Sequence, residues 1–305
     1  MCTTVEYMPD SLMQPKASTR RALALFIGAM LMYGSIGVFR RHIPLSSAAL
    51  ACARGLIGGV FLWAFAALTR GTVRLGVEKK NWAPLALAGL ALGVNWILLF
   101  EAFRYTTITI ATLCYAMQPV ILIALSPLVF GEAITLKKAA CVVVAVAGMT
   151  LVAGMGGSAP ISASDAKGIA FGLGGALLYA IVVILNKKIA VPDIYGKTTV
   201  ELLAAAVTLF PYVLLAGAGG EGGGALGAGG IALVALLGVL HTGIAYAMYF
   251  SSLYELRAQS AAMLSYIEPV AALLLSIFLL REPFSAAQLA GAALIIGAAA
   301  AHEAL

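Results

Sequence analysis

The feature that most constrains this chain of 305 residues is a series of apolar runs, each nearly long enough to cross a bilayer. A helix needs about 20 mainly apolar residues to span the hydrocarbon core. Ten runs approach that length, near 22–39, 45–69, 82–103, 107–129, 135–153, 166–187, 198–217, 229–251, 258–280 and 285–301, broken by charge, proline or glycine clusters. Charged residues make up only 10% of the chain, too few to cover the surface of a soluble protein of this length, whereas a bilayer accepts such a surface. The expected fold is therefore all-α and polytopic, an integral membrane protein of ten transmembrane helices. Residues 1–19 lack an apolar h-region and read as a polar tail, not a signal peptide.

The formal charge of +6 is explained by position. With the N-terminus inside, the cytoplasmic segments hold Lys16, Arg20, Arg21, Arg70, Arg74, Lys79, Lys80, Lys137, Lys138, Lys187, Lys188, Lys197 and Arg257. The opposite side holds Arg40, Arg41, Arg104, Lys167 and Arg281. Thirteen against five is the positive-inside bias of a ten-span protein with both termini in the cytoplasm. Nucleic acid is not needed to account for the basic balance. Cys52, Cys114 and Cys141 lie within apolar runs and form neither a disulfide framework nor a metal-ligand pattern. The glycine-rich stretch Ala216–Gly230 and the P-loop-like ending Gly196-Lys197-Thr198 both read as loops. No H-E-x-x-H, no G-x-S-x-G and no acid cluster at metal spacing is present, so neither an enzyme, a cofactor nor a metal site is expected.

Sliding the chain by 150 residues lays the third-to-fifth runs over the eighth-to-tenth. Gly93 then meets Gly243, Phe100 meets Phe250, Pro119-Val120 meets Pro269-Val270, and Glu132 meets Glu282. Five spans per repeat is an odd number, so the second repeat enters the membrane inverted, a plan that places substrate near the midplane where the halves meet. The expected units are a tail over 1–19, a first five-helix repeat over 20–155 and a second over 156–305. The duplicated Pro119…Glu132 and Pro269…Glu282 elements, each followed by a Gly/Ala-rich final helix, resemble the drug/metabolite transporter superfamily of the EamA type, over about residues 20–302. Within it the chain is most similar to the YddG-type exporters of aromatic and other amino acids. The resemblance implies a central cavity lined by spans 1, 3, 4, 6, 8 and 9, with spans 5 and 10 peripheral. It also implies a bacterial inner membrane and transport outward.

Polar side chains inside apolar runs mark the candidate site, because lipid makes them costly. Arg54 in span 2 is read as an anchor for a substrate carboxylate, or else as a structural or snorkelling arginine. Glu268 and Gln118 precede Pro269 and Pro119 at repeat-equivalent places, where each proline leaves a helix carbonyl without its donor. Glu268 could hold a substrate ammonium or carry a proton. His241 could titrate and gate, or simply bond a neighbouring helix. Asn95, Trp96 and Tyr246, with Tyr33, Tyr115, Tyr179 and Tyr266, supply hydroxyls, an amide and aromatic faces suited to a zwitterion with an apolar side chain. Gly55-x-x-x-Gly59 reads as packing within one monomer, with dimerisation as the alternative. The expected function is a secondary transporter of amino acids working by alternating access, its partners a small-molecule substrate and the lipid bilayer. A multidrug or other metabolite carrier is the alternative, and an intramembrane enzyme or scaffold stands further off.

Overall fold

A computed structural model describes residues 16–40, 42–70, 77–106, 108–152, 163–189, 193–216, 226–281 and 285–305. The glycine-rich stretch, most of the expected tail and Glu282 therefore fall largely or wholly outside the described residues. The helices, numbered as spans, are span 1 (Lys16–Arg40), span 2 (Ser47–Arg70), span 3 (Lys79–Tyr105), span 4 (Ile108–Tyr115 then Gln118–Phe130) and span 5 (Leu136–Val152). The second half follows as span 6 (Ala163–Lys188), span 7 (Ile194–Ala216), span 8 (Ala228–Leu236, Leu237–Ile244, Ala245–Leu253), span 9 (Ala258–Ser265 then Ile267–Leu280) and span 10 (Ala286–Glu303). Among the described residues, nine helical runs are long and apolar enough to cross a membrane. Span 5, at 17 residues, lies at the low end of spanning length. Leu68, Leu128 and Leu215 stand almost fully exposed on the outside of the bundle, as side chains facing acyl tails should.

Helix pairing follows the repeat. Span 1 packs on spans 8 and 9, as span 6 packs on spans 3 and 4, and span 2 packs on span 8 as span 7 packs on span 3. The pairs 2·7, 4·9 and 5·10 join a span to its own counterpart, and they mark the pseudo-two-fold axis. Small residues allow the approach. A Cβ on Gly93 would meet Thr208 Cβ at 2.7 Å, and one on Gly58 would meet Gly243 N at 2.9 Å, so two repeat-equivalent crossings both depend on glycine. Gly55 and Gly59 face Leu202, Leu203 and Ala206 of span 7, so this motif serves packing inside the monomer.

Local sequence sets the ends and breaks of the helices. Pro119 and Pro269 cannot donate to the preceding turn, and spans 4 and 9 each break just before them. Span 4 ends on Gly131 in the left-handed conformation (φ 69°), with Gly131 N bonded to Pro127 O in an αL cap and Glu132 N bonded back to Ser126 O. The repeat-equivalent residue at the end of span 9 is Arg281, also left-handed at φ 53° although it carries a side chain. Span 10 begins with a capping box between Ser285 and Gln288.

Spans 5 and 10 meet backbone to backbone. A Cβ on Gly148 would lie 2.7 Å from Gly291 O, while Gly297 in span 10 has open space. Gly148→Leu is expected to lower stability by about 1–3 kcal/mol through overpacking. Gly297→Ala should leave it unchanged or raise it by about 0.5–1 kcal/mol through helix propensity. Thermal unfolding of the purified protein in detergent measures both.

Candidate functional site

The proline breaks open the centre of the bundle. A cavity of about 630 Å³ is lined by residues of spans 1, 4, 5, 6 and 9. It runs from the broken turns, where Tyr115, Gln118, Tyr266 and Glu268 lie, toward Gly37 near the end of span 1, Thr112 early in span 4 and Val152 at the end of span 5. In a chain crossing ten times, those last three stand on the face opposite the two termini. The expectation that spans 3 and 8 line the cavity is corrected. They stand behind its wall, because Tyr246 packs on Tyr33 (5.3 Å between ring centroids) and Tyr115 stacks on Tyr179 (5.9 Å), closing the space in front of both. Span 5, expected to be wholly peripheral, contributes Met149 and Val152 from its far end while packing on span 10 along its length.

Of the expected site residues, Tyr33, Tyr115, Gln118, Tyr179, Tyr266 and Glu268 line this cavity. Gln118 and Glu268 are repeat-equivalent, so the two-fold relation sets an amide on one broken helix and a carboxyl group on the other. The Tyr33 hydroxyl and Gln118 Nε2 are buried without a hydrogen-bond partner among the described residues. The Tyr266 hydroxyl donates to Ala116 O (3.1 Å), so the break in span 9 satisfies a carbonyl exposed by the break in span 4. Gly34 makes room for Glu268, since a Cβ there would lie 2.7 Å from Glu268 O.

The other five residues lie behind the wall. Asn95 is fully buried; its amide donates to Gly175 O (2.6 Å) and its oxygen accepts from the Tyr115 hydroxyl (3.0 Å), so it orients a lining tyrosine. Trp96 meets Tyr246 edge-on at 6.3 Å. Arg54 does not line the cavity: its Nε donates to Thr242 Oγ1 (3.0 Å), although Glu268 and Tyr33 remain its electrostatic neighbours. His241 Nε2 lies 2.8 Å from Ser35 Oγ, with the Phe39 ring against it. Both bonds reach one local irregularity, the π-helical turn Leu237–Ile244, which the sequence periodicity does not reveal. The extra residue in that turn rotates His241 toward span 1 and Thr242 toward span 2. Gly58 permits its wide backbone to approach, since a Cβ there would lie 2.8 Å from Gly238 O.

The face that carries the termini is closed by polar contacts, between the repeats around Glu132 and within the second repeat around Lys187 and Lys197. The Glu132 carboxylate accepts from Ala258 N (2.7 Å) and Gln259 N (3.0 Å), the unsatisfied donors at the start of span 9. Gln259 Nε2 donates to Ser126 Oγ (2.8 Å), and its oxygen accepts from Lys138 Nζ (3.2 Å). Lys187 donates to Leu253 O and Leu256 O at the end of span 8. Lys197, expected in a loop, is instead fully buried in the first turn of span 7 and donates to Asn186 O (2.7 Å) and the Tyr254 hydroxyl (2.9 Å). One turn further along lies Glu201, also buried, an acid that the sequence reading passed over. The signal was there in its spacing of four from Lys197, but a single helix face cannot show that it points inward.

Comparison with known proteins agrees with this architecture. The sequence pattern of the EamA-like transporter family matches residues 20–154 and again 166–301. The chain is 29% identical to an uncharacterized transporter, YxxF, of Bacillus subtilis, over 83% of this chain and 80% of that one. It is 27% identical to an uncharacterized transporter of Archaeoglobus fulgidus over 90% and 92% of the two chains. A solved protein crystal structure superposes with a TM-score of 0.78 at 22% identity, covering 92% of this chain and 95% of that one, a likeness of fold.

The closed face supplies a prediction. Glu132→Ala is expected to destabilise by about 1–2 kcal/mol, as loss of a helix cap does, and Gln259→Ala by about 1–3 kcal/mol, because it leaves the buried partners of its side chain unsatisfied. The double variant should lose less than the sum, with a coupling of about 0.5–3 kcal/mol. Thermal unfolding gives the cycle. Hydrogen exchange at the amides of Ala258 and Gln259 should rise in Glu132→Ala, and unchanged exchange there would reject the cap.

Proposed function

The chain belongs to the EamA-like transporter family, and from that premise we propose that it exports neutral amino acids, aromatic ones among them, in the manner of the YddG-type exporters it resembles. One observation carries the reading. A single cavity holds a carboxyl group, Glu268, together with two donors lacking partners, Tyr33 OH and Gln118 Nε2, inside an aromatic wall. A zwitterion needs that combination. Its ammonium pairs with Glu268, its carboxylate accepts from Gln118 and Tyr33, and an apolar side chain rests against Tyr115, Tyr179 and Tyr266. The anchoring role expected for Arg54 passes to these donors, and Arg54 holds spans 2 and 8 together behind them. A cavity of about 630 Å³ lies within the usual range for small-molecule sites, about 300–1,000 Å³.

The same geometry supports alternating access. The cavity extends toward the face opposite the termini, and the termini face is held shut between the halves by Glu132, Gln259 and Lys138. Rocking the two five-helix halves about the 2·7, 4·9 and 5·10 pairs would break those contacts and expose Glu268 and Gln118 to the other side. With the basic residues inward, the termini would lie in the cytoplasm of a bacterium and the cavity would face outward. The halves 20–155 and 156–305 would be the moving units.

A lone acid in an aromatic cavity also fits a hydrophobic amine, the substrate of a multidrug carrier. Counterflow in proteoliposomes preloaded with phenylalanine separates the two. Saturable uptake of labelled phenylalanine, competed by methionine but not by phenylalaninamide, is the expected outcome, since the amide lacks the carboxylate. Equal competition by phenylalaninamide and simple aromatic amines would favour the amine reading. Loss of a hydrogen bond to a charged group costs about 1.5–3 kcal/mol. Glu268→Gln and Gln118→Ala should therefore each weaken half-saturation roughly ten- to a hundredfold. An absence of uptake by folded protein would reject the amino-acid assignment.

A further inference from the structure

A second cavity, of about 360 Å³, lies apart from the first, between spans 1 and 2 of one repeat and spans 7 and 8 of the other. We propose that it is a binding site for an anionic phospholipid, which lays one acyl chain in the groove and sets its phosphate against Arg21. The groove starts at the face carrying the termini, where Arg21 stands exposed early in span 1 beside Arg20. It descends along span 8 from Ser251 to Ile244, seven residues and about 10 Å of helix. That depth corresponds to much of one leaflet of a hydrocarbon core about 30 Å thick. Below the arginine its wall is apolar and aromatic, built from Leu25, Phe61, Phe65 and Met248. A zwitterion has no partner at that depth, whereas an acyl chain needs none.

The groove is held open by its own packing. Phe65 stacks on Phe61 (6.1 Å) and meets the Tyr195 ring edge-on (5.4 Å), which fixes the wall before any ligand arrives. The acid next to Ile194 does not oppose an anion, because Asp193 is buried and its Oδ1 accepts from Tyr195 N (3.1 Å). The place is particular to one half of the protein. Spans 1 and 6 align at a shift of 146, which sets Ala24, Gly28 and Tyr33 on Ala170, Gly174 and Tyr179, and with them Leu25 on Phe171 and Arg21 on Lys167. There Phe171 stacks on Tyr105 (5.5 Å), and Lys167 lies over the same ring (5.9 Å), so side chains occupy the space that is open beside Arg21. Basic pockets between transmembrane helices on the cytoplasmic side suit anionic headgroups. A lipid seated here would touch both repeats at the boundary that rocking must move.

Native mass spectrometry of the full-length protein in detergent, with added phosphatidylglycerol or phosphatidylcholine, tests the site without reference to any transported substrate. Wild type is expected to retain one phosphatidylglycerol roughly fivefold more than phosphatidylcholine, the preference one basic side chain confers. Arg21→Gln should abolish the preference, and Leu25→Trp, which fills the groove, should lower retention of both lipids while the protein elutes as a folded species. Lys137→Gln, which removes an exposed charge on the same face, should change neither. Equal retention of the two lipids by wild type, or a loss in Lys137→Gln matching that in Arg21→Gln, would overturn the proposal.

Discussion

Hydrocarbon offers no hydrogen-bond partner to a peptide group, and the rest of this structure depends on that constraint. Regular helix is the default because it satisfies each backbone group within its own segment. Departures are tolerated only where protein supplies the missing partner. The break in span 4 is covered by the Tyr266 hydroxyl on Ala116 O, and the π-helical turn of span 8 by Thr242 Oγ1 on Leu237 O (3.0 Å). The start of span 9 is covered by Glu132. The irregular backbone therefore concentrates where the two repeats meet, and the cavity lies there for the same reason.

Duplication supplies a nearly symmetric scaffold, and divergence at paired positions supplies its chemistry. Gln118 and Glu268 occupy one place in the two repeats, yet one brings an amide donor and the other a carboxyl group. Gly131 and Arg281 share a left-handed helix end, which glycine adopts without the Cβ clash that arginine meets. Asn95 corresponds to Ala245, so only the first repeat has an amide that orients a tyrosine. A symmetric cavity would suit a symmetric ligand; these substitutions make one whose two sides differ in charge and hydrogen-bonding sense.

Basic residues on the face of the termini serve two purposes. Counted along the chain they give the charge bias on which the proposed orientation rests. In three dimensions Lys138, Lys187 and Lys197 turn inward onto Gln259, onto the end of span 8 and onto the end of span 6. A cation near the carbonyl end of a helix is favourable, so the Lys187 and Lys197 contacts satisfy the ends of spans 8 and 6 on the closed face.

The ten spans and the inverted repeat were legible in the sequence, and so was the placing of Gln118 and Glu268 as polar residues at the paired helix breaks. Apolar length, charge bias and paired prolines are properties of the chain alone, and lipid leaves few alternatives for satisfying them. The roles of Arg54, His241, Lys197 and Glu201 were not legible. A side chain within an apolar run faces lipid, a neighbouring helix or a cavity according to the rotation of its helix, and in span 8 a single π-helical turn resets that rotation. Sequence by itself determined how many times the chain crosses and where its helices must break. Only tertiary packing decided which polar groups line the cavity and which serve as ties behind it, because that choice rests on contacts between residues as far apart as Arg54 and Thr242.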